Sequence, residues 1–286
     1  MQPQMRFKAW KEFKDNHMNE MEWKLRSDLC EVARRLYAAG FMTGSDGNLS
    51  TILSDNEVLI TPSRLCKGFL QPEQIVKIDR QGKQLAGDLP PTVEVAMHLA
   101  AYEERPDICS VAHCHPPILV AFTVAGLDLP SAILPEIEVM FGGKIPLAPY
   151  ATPGSPELAN SIRESMRNRE NSVVLLDHHG LLAVGRDIYQ AAIRVEHAEA
   201  AARVIYYARQ LGGEKPLAPD SLEKLHQTHQ KIVEMETSVY SGYCHAPECQ
   251  LPTSATDSGQ NQNSVNESDL EQVVRQIVLK VMAEKG

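Results

Sequence analysis

The chain has 286 residues, of which 43% are hydrophobic and 23% are charged, and its formal net charge is −9. This ordinary globular composition allows one domain with a deep core, and the acidic balance argues against general binding to nucleic acid or anionic membranes. No stretch is apolar enough to span a bilayer, and the charged residues 1–24 lack the apolar run of a secretory signal, so we expect a cytoplasmic protein.

Helix-like and strand-like patterns alternate along most of the chain. Apolar residues at helical spacing predict a first helix over residues 20–39, which ends at Gly40. The turn-rich run TGSDGNLS follows, and after it come two short strand-like runs, STIL and EVLIT. The other predicted elements are helices over residues 91–104, 118–124 and 188–211 and strands over residues 108–115 and 172–177. This interleaving predicts an α/β layered domain.

The composition changes after residue 249, where we place the end of the folded domain. Residues 250–267 are rich in Ser, Asn, Gln and Thr and predict a flexible linker. Ser268 and Glu271 then form a capping box at the start of an amphipathic helix over residues 268–286. So short a helix is marginal alone, so its apolar stripe needs a partner.

The run SVAHCHPP places two histidines on a predicted strand. His113 and His115 are two residues apart, so their side chains project from the same face and Cys114 from the other. Two imidazoles at this spacing are able to hold one transition metal ion. The alternative is a pair of polar residues at a strand edge, and the pair alone does not decide between them.

The run LLDHHGLL ends another buried strand with adjacent histidines. Because successive side chains alternate in direction, only one of His178 and His179 is able to face a metal shared with the first pair. Alternation does not show which of the two histidines faces the metal. The alternative interpretation is a strand-end turn in which neither histidine has a function.

The run PPTVEVAMH carries a candidate carboxylate. Glu94 lies in the predicted first turn of a helix, where the helix dipole favours the ionised form. His98 lies one turn further along the same face. Each residue also has a non-functional explanation. Glu94 is able to serve simply as a partner of the helix dipole, and His98 as a core residue.

Two further runs, TGSDGNLS and LITPSR, offer backbone N–H groups and hydroxyls in turns. Such loops are able to cradle an anion, and Ser45, Asn48 and Ser63 are the polar candidates. Neither run is a P-loop or a dinucleotide fingerprint, and each is also compatible with a simple turn.

Together these runs match one family in order and spacing. The chain resembles the class II aldolase/adducin family and, within it, the L-fuculose-1-phosphate aldolases, over roughly residues 25–211. The matching runs are TGSDGNLS, LITPSR, PTVEVAMH, VAHCHPP, IPLAPYATPGSPEL and LLDHHGLLAVG.

The resemblance implies a three-layer α/β/α domain with a mixed, largely antiparallel central sheet, assembled as a homotetramer with active sites at subunit interfaces. It implies one Zn²⁺ per subunit and settles the ambiguity above in favour of His179, with His113 and His115 as the other ligands. Glu94 falls on the catalytic carboxylate, and a tyrosine near the C-terminus, Tyr243 or Tyr240, is the expected proton donor. The expected phosphate-binding residues are Ser45, Gly47, Asn48, Ser63 and Thr92.

The reaction implied is cleavage of L-fuculose 1-phosphate, or L-rhamnulose 1-phosphate, to dihydroxyacetone phosphate and L-lactaldehyde. Zinc would act as the Lewis acid that stabilises the enediolate, and Glu94 would move the proton. The same family contains pentulose-phosphate 4-epimerases, which typically carry Asp in place of this Glu, and methylthioribulose-phosphate dehydratases. Adducin-like binding modules share the fold but would be expected to lose the ligand set.

Three positions depart from the aldolase pattern. Val93 replaces a phosphate-binding Ser, Arg64 replaces a Gly in the second loop, and Leu134 lies near the position of a Tyr that assists the aldehyde half. The linker and terminal helix resemble the encapsulation peptides of bacterial microcompartment enzymes, which predicts shell proteins as partners of residues 268–286. Docking of this helix on the protein's own tetramer is the alternative.

Overall fold

The computed structural model describes residues 20–239. Tyr240, Tyr243, the predicted linker over residues 250–267 and the predicted helix over residues 268–286 lie outside the described residues. Among the described helices, none is long and apolar enough to cross a membrane.

The described chain contains seven α-helices, eight strands and two short 3-10 helices, Lys67–Phe69 and Pro72–Gln74. The helices are α1 (Glu20–Ala38), α2 (Val95–Glu104), α3 (Pro117–Val124), α4 (Pro135–Phe141), α5 (Pro156–Met166), α6 (Ile188–Gln210) and α7 (Pro219–Val239). The strands are β1 (Asn48–Ser54), β2 (Glu57–Ile60), β3 (Val76–Asp79), β4 (Gln84–Ala86), β5 (Ser110–Cys114), β6 (Leu147–Ala148), β7 (Val173–Leu176) and β8 (Gly180–Gly185).

The eight strands form one mixed sheet in the order β4-β3-β2-β1-β5-β8-β7-β6. Only the β6–β7 pair is parallel, so the sheet is largely antiparallel as predicted. Helices α1, α3, α4 and α6 contribute to an apolar core on one face, and α2 and α5 contribute to a second core on the other face. The predicted three-layer α/β/α architecture is therefore confirmed.

Strand β5 lies at the centre of this sheet. Its side chains alternate between the two cores, since Val111 packs in the second core and Cys114 in the first. His113 lies opposite Asn48 of β1 on one side and opposite Leu182 of β8 on the other. This register brings β1, β5 and β8 together at the end of the sheet where the histidines lie.

The helix predicted over residues 91–104 begins later than expected, at Val95. Pro91 forms an isolated antiparallel bridge with Pro62, and the Thr92 N–H donates to the carbonyl of Thr61. The backbone of residues 91 and 92 therefore pairs with the end of β2. Glu94 consequently occupies the position before the first helical residue, where the backbone turns into α2.

Candidate metal centre and active site

Three histidines converge where β5 ends and β8 begins. The ring centroids are 4.8 Å apart for His113 and His115, 4.7 Å for His113 and His179, and 4.9 Å for His115 and His179. One nitrogen of each ring lies within 4.8 Å of the corresponding nitrogens of the other two. This is the triangle that a single metal ion requires of three imidazole ligands.

Helix α3 fixes the chain just after His115. The N–H groups of Ile118 and Leu119, in the first turn of this helix, both donate to the buried carboxylate of Glu199 on α6. A carboxylate at a helix N-terminus satisfies backbone donors that otherwise have no partner. Glu199 of α6 thus fixes the direction in which the chain leaves β5.

A tight turn between β7 and β8 presents His179. His178, at the corner, has a φ of 54°, and its N–H donates to the Thr123 hydroxyl of α3. Its ring points to the surface, and its Nδ1 lies 2.8 Å from Oδ1 of Asp177. The turn therefore directs His179, and not His178, toward the other two rings.

Gly180 is required by close packing in the same turn. A Cβ atom there would lie 2.3 Å from the carbonyl oxygen of Cys114 and 2.8 Å from the His115 ring. Any side chain would push β8 away from β5 or displace the His115 ring.

The protonation pattern of these rings suits a metal ion. Nδ1 of His113 donates to the carbonyl of Leu181 at 2.9 Å, which leaves Nε2 with a bare lone pair. That Nε2 lies 2.9 Å from Nε2 of His115. Burial lowers the pKa of His113 and of His115 to about 3 and also lowers the pKa of His179, so the rings are neutral, as metal ligands must be.

Glu94 completes the cluster. Its Oε2 lies 3.4 Å from Nε2 of His113, and its Oε1 lies 3.5 Å from Nε2 of His179. Oε2 accepts a hydrogen bond from the side-chain amide of Asn48 at 2.8 Å. Oε1 is buried and, within residues 20–239, has no hydrogen-bond partner, and the same is true of Nδ1 of His179. Such orphaned groups indicate that a cation or substrate belongs there.

Three of the predicted phosphate-binding residues, Asn48, Ser63 and Thr92, contact the segment that leads into α2. The Ser63 hydroxyl donates to the carbonyl of Pro91 at 3.0 Å, and the Thr92 hydroxyl accepts from the N–H of Glu94 at 3.3 Å. Ser45 is exposed in the first loop, whereas the side chain of Asn48 is buried with both polar atoms occupied. Their contact with phosphate stays a prediction.

Gly47 and Arg64 have left-handed backbone conformations in these loops. Gly47 has a φ of 74°, and a Cβ there would lie 3.0 Å from the carbonyl oxygen of His113. Arg64 has a φ of 61°, a conformation that favours glycine. This explains why the resemblance places a Gly at position 64.

Lys67 is a buried cation that sequence reasoning missed. Its side chain is 1% exposed, and its Nζ donates to the carbonyls of Ser45 at 2.8 Å and Leu65 at 2.9 Å. It therefore links the two candidate phosphate loops. Burial lowers its pKa to about 8, against the opposing influence of Asp46. A basic residue between two apolar positions gave no sequence signal of this role.

Ser50 and Tyr102 were also missed. Both are buried and join a hydrogen-bonded chain that begins at Glu94 and includes His98. Glu94, His98 and Tyr102 recur every four residues, and this polar stripe along an apolar helix was the available signal.

Comparisons with known proteins agree with this fold. The family model described as Class II Aldolase and Adducin N-terminal domain matches residues 27–206. A 3-oxo-tetronate 4-phosphate decarboxylase of Escherichia coli K12 is 34% identical over 201 residues, which cover 69% of this chain and 92% of that protein. An L-fuculose phosphate aldolase of Methanococcus maripaludis is 34% identical over 185 residues, covering 65% of this chain and 98% of that protein.

The solved structure of YgbL from Escherichia coli is 30% identical in sequence to this chain and has a TM-score of 0.67 with it. The matched region covers 72% of this chain and 100% of the YgbL chain. The family match extends over most of the residues that the structure describes, and it includes Glu94 and all three converging histidines. The chain therefore belongs to the class II aldolase/adducin family.

Proposed function

We propose that this protein is a zinc-dependent aldehyde-lyase that cleaves L-fuculose 1-phosphate, or L-rhamnulose 1-phosphate, to dihydroxyacetone phosphate and L-lactaldehyde. The observation that carries the proposal is the cluster of three neutral imidazoles beside the Glu94 carboxylate, one oxygen of which has no hydrogen-bond partner among residues 20–239. The similarity to an L-fuculose phosphate aldolase supports the substrate class.

His113, His115 and His179 would hold the metal. When bound, it would supply a Lewis acid that draws electrons from the ketone carbonyl as the C3–C4 bond breaks. Three uncharged ligands leave the full charge of the ion available for this purpose.

The proton balance of the cleavage defines the role of Glu94. The C4 hydroxyl loses its proton as the aldehyde forms, and the electron pair of the broken bond passes into the ketone half. C3 then gains a proton, which completes dihydroxyacetone phosphate. Oε1 of Glu94 is the atom available for proton transfer, because Oε2 is occupied by the amide of Asn48.

Decarboxylation is the second candidate, favoured by the similarity to a 3-oxo-tetronate 4-phosphate decarboxylase. Loss of CO2 from such a substrate leaves an electron pair on the carbon beside the ketone, and protonation of that carbon again gives dihydroxyacetone phosphate. The same carboxylate would therefore serve, and only the leaving group differs.

The first prediction concerns the substrate. Zinc-loaded protein should release dihydroxyacetone phosphate from L-fuculose 1-phosphate or L-rhamnulose 1-phosphate, measured by a coupled reductase assay. L-ribulose phosphates and 3-oxo-tetronate 4-phosphate should be tested in parallel, with CO2 measured for the latter. Turnover of the keto acid alone would replace aldol cleavage by decarboxylation, and no dihydroxyacetone phosphate from any substrate would reject both.

The second prediction concerns the metal ligands. His179→Asn should lower zinc affinity by more than the ~10–100-fold typical of losing an outer hydrogen-bond partner, because a direct ligand is removed. His178→Asn is the matched control and should retain the metal, since Asn tolerates the left-handed backbone at that corner. Metal content after dialysis gives the result, and loss of zinc in the control alone would assign the ligand to His178.

The third prediction concerns Glu94. Glu94→Gln should lower kcat by ~10²–10⁴-fold, the usual contribution of a general acid–base group, while zinc content and oligomeric state stay unchanged. Glu104→Gln, at the other end of the same helix, is the control. Wild-type turnover by the Gln variant would remove Glu94 from the mechanism.

The fourth prediction concerns Lys67. Because its buried ammonium group lies between the two loops, Lys67→Met should weaken binding of a phosphate monoester by about tenfold, or roughly 1.4 kcal/mol. Inhibition by sn-glycerol 3-phosphate is the measurement, and kcat should change less than KM.

The pH dependence of inhibitor affinity shows whether the charge of Lys67, and not only its size, contributes to phosphate binding. With a pKa of about 8, the ammonium is mostly charged at pH 7 and mostly neutral at pH 9, whereas a phosphate monoester is already a dianion. Wild-type affinity for the inhibitor should therefore fall between these pH values. Lys67→Met should lack this fall; an equal fall in both proteins would show that another group titrates.

A further inference from the structure

A buried chain of hydrogen bonds leads away from Oε2 of Glu94. Asn48 Nδ2 lies 2.8 Å from Glu94 Oε2, and Asn48 Oδ1 lies 2.5 Å from His98 Nε2. His98 Nδ1 lies 2.7 Å from Ser50 Oγ, which in turn lies 2.7 Å from the Tyr102 hydroxyl oxygen. All five side chains are buried, and none is more than 7% exposed.

The ionised carboxylate fixes the orientation of the first two links. A carboxylate only accepts hydrogen bonds, so the group of Asn48 that faces Glu94 must be its NH2. The amide oxygen of Asn48 then faces His98 and must accept, so Nε2 of His98 carries the hydrogen atom. A flipped amide would place two oxygen atoms against each other.

The same logic fixes the remaining links. His98 is neutral because burial, reinforced by the neighbouring His113, lowers its pKa to about 3, so Nδ1 is an acceptor. The Ser50 hydroxyl must therefore donate to Nδ1, and its own oxygen accepts from Tyr102. Every donor in the chain points toward Glu94.

The fold places these residues on two elements that meet beside the metal centre. Asn48 and Ser50 project from the same face of β1, next to the strand that carries His113. Glu94, His98 and Tyr102 lie on one face at the start of α2 and along it. The hydrogen-bonded chain therefore holds α2 and β1 together at the carboxylate.

We propose that His98, Ser50 and Tyr102 are positioning residues that lock the side-chain amide of Asn48, so that Glu94 is anchored through Oε2 and exchanges protons only through Oε1. This rests on the proposed function, in which Glu94 moves the proton. Rotation of an unanchored carboxylate would move Oε1 away from the reacting carbon, and small displacements of this kind lower rates steeply.

Two substitutions of His98 test the proposal by rescue. Gln is able to place an NH2 group near the position of Nε2 and keep the bond to Asn48, whereas Leu is not. His98→Leu should lower kcat by ~10–100-fold with KM within ~3-fold, and His98→Gln should recover most of kcat. Equal kcat in both variants and in wild type, with only the thermal midpoint lowered, would show a purely structural role.

Two further substitutions test the outer links with matched controls. Ser50→Ala should lower kcat by less than His98→Leu does, and Tyr102→Phe should lower it by less again, because each residue lies further along the chain from Glu94. Thr51→Val removes an adjacent buried hydroxyl on the other face of β1, which donates to the Cys109 carbonyl, and should leave kcat unchanged. An effect of Thr51→Val equal to that of Ser50→Ala would overturn the proposal.

The tautomer of His98 provides a readout that needs no substrate. Nitrogen NMR of the zinc-loaded protein should show His98 protonated on Nε2 and unprotonated on Nδ1, and the opposite tautomer would overturn the proposal. If the wild-type protein turns over no sugar phosphate while His98 keeps the Nε2–H form, the proposed function fails and the orientation of the chain stands. The two failures are therefore distinguishable.

Discussion

The site depends on burying three neutral imidazoles and one carboxylate together. A carboxylate removed from water is stabilised only if donors or a cation replace its hydration. Here Asn48 supplies a donor to Oε2 of Glu94, and no described side chain does the same for Oε1. A divalent ion among the three rings would supply the missing charge, so metal binding and the integrity of this end of the sheet are coupled.

Strand register is the constraint that makes this cluster possible. Asn48, His113 and Leu182 lie side by side on three neighbouring strands. The side chain of Asn48 anchors the Glu94 carboxylate, and His113 is a candidate metal ligand. Leu182 belongs to β8, which starts directly after His179. A slip of one residue in β5 would remove His113 from this position and, in one of the two directions, place the thiol of Cys114 there.

Local patterns predicted the parts of the site that depend on one element at a time. The spacing of His113 and His115 showed that both rings share a face, and the hydrophobic patterns gave the layered α/β class. The choice between His178 and His179 needed the resemblance, because it depends on a left-handed corner that strand alternation does not encode.

Contacts between distant elements were not predictable. Lys67 is buried because two loops, each with a carbonyl turned inward, close over it. Likewise, the partners of His98 lie on β1, roughly fifty residues earlier in the chain. Helical spacing placed His98 on the same face as Glu94, but only the paired strand shows that its two nitrogens are both hydrogen-bonded. The polar stripe along α2 therefore indicates the face on which His98 lies but not the residues that it bonds.

The balance of charge around the site bears on which anion it suits. Lys67 and the exposed Arg64 contribute positive charge, to which a bound divalent ion would add, while Glu94 and Asp46 contribute negative charge. The remaining positive charge is comparable to that of one phosphate monoester dianion. The phosphate of a ketose would neutralise it, whereas a keto acid phosphate brings one further negative charge. Because an uncompensated charge in a partly buried site is costly, we expect a ketose phosphate to bind more readily than a keto acid phosphate, although both reactions give the same product.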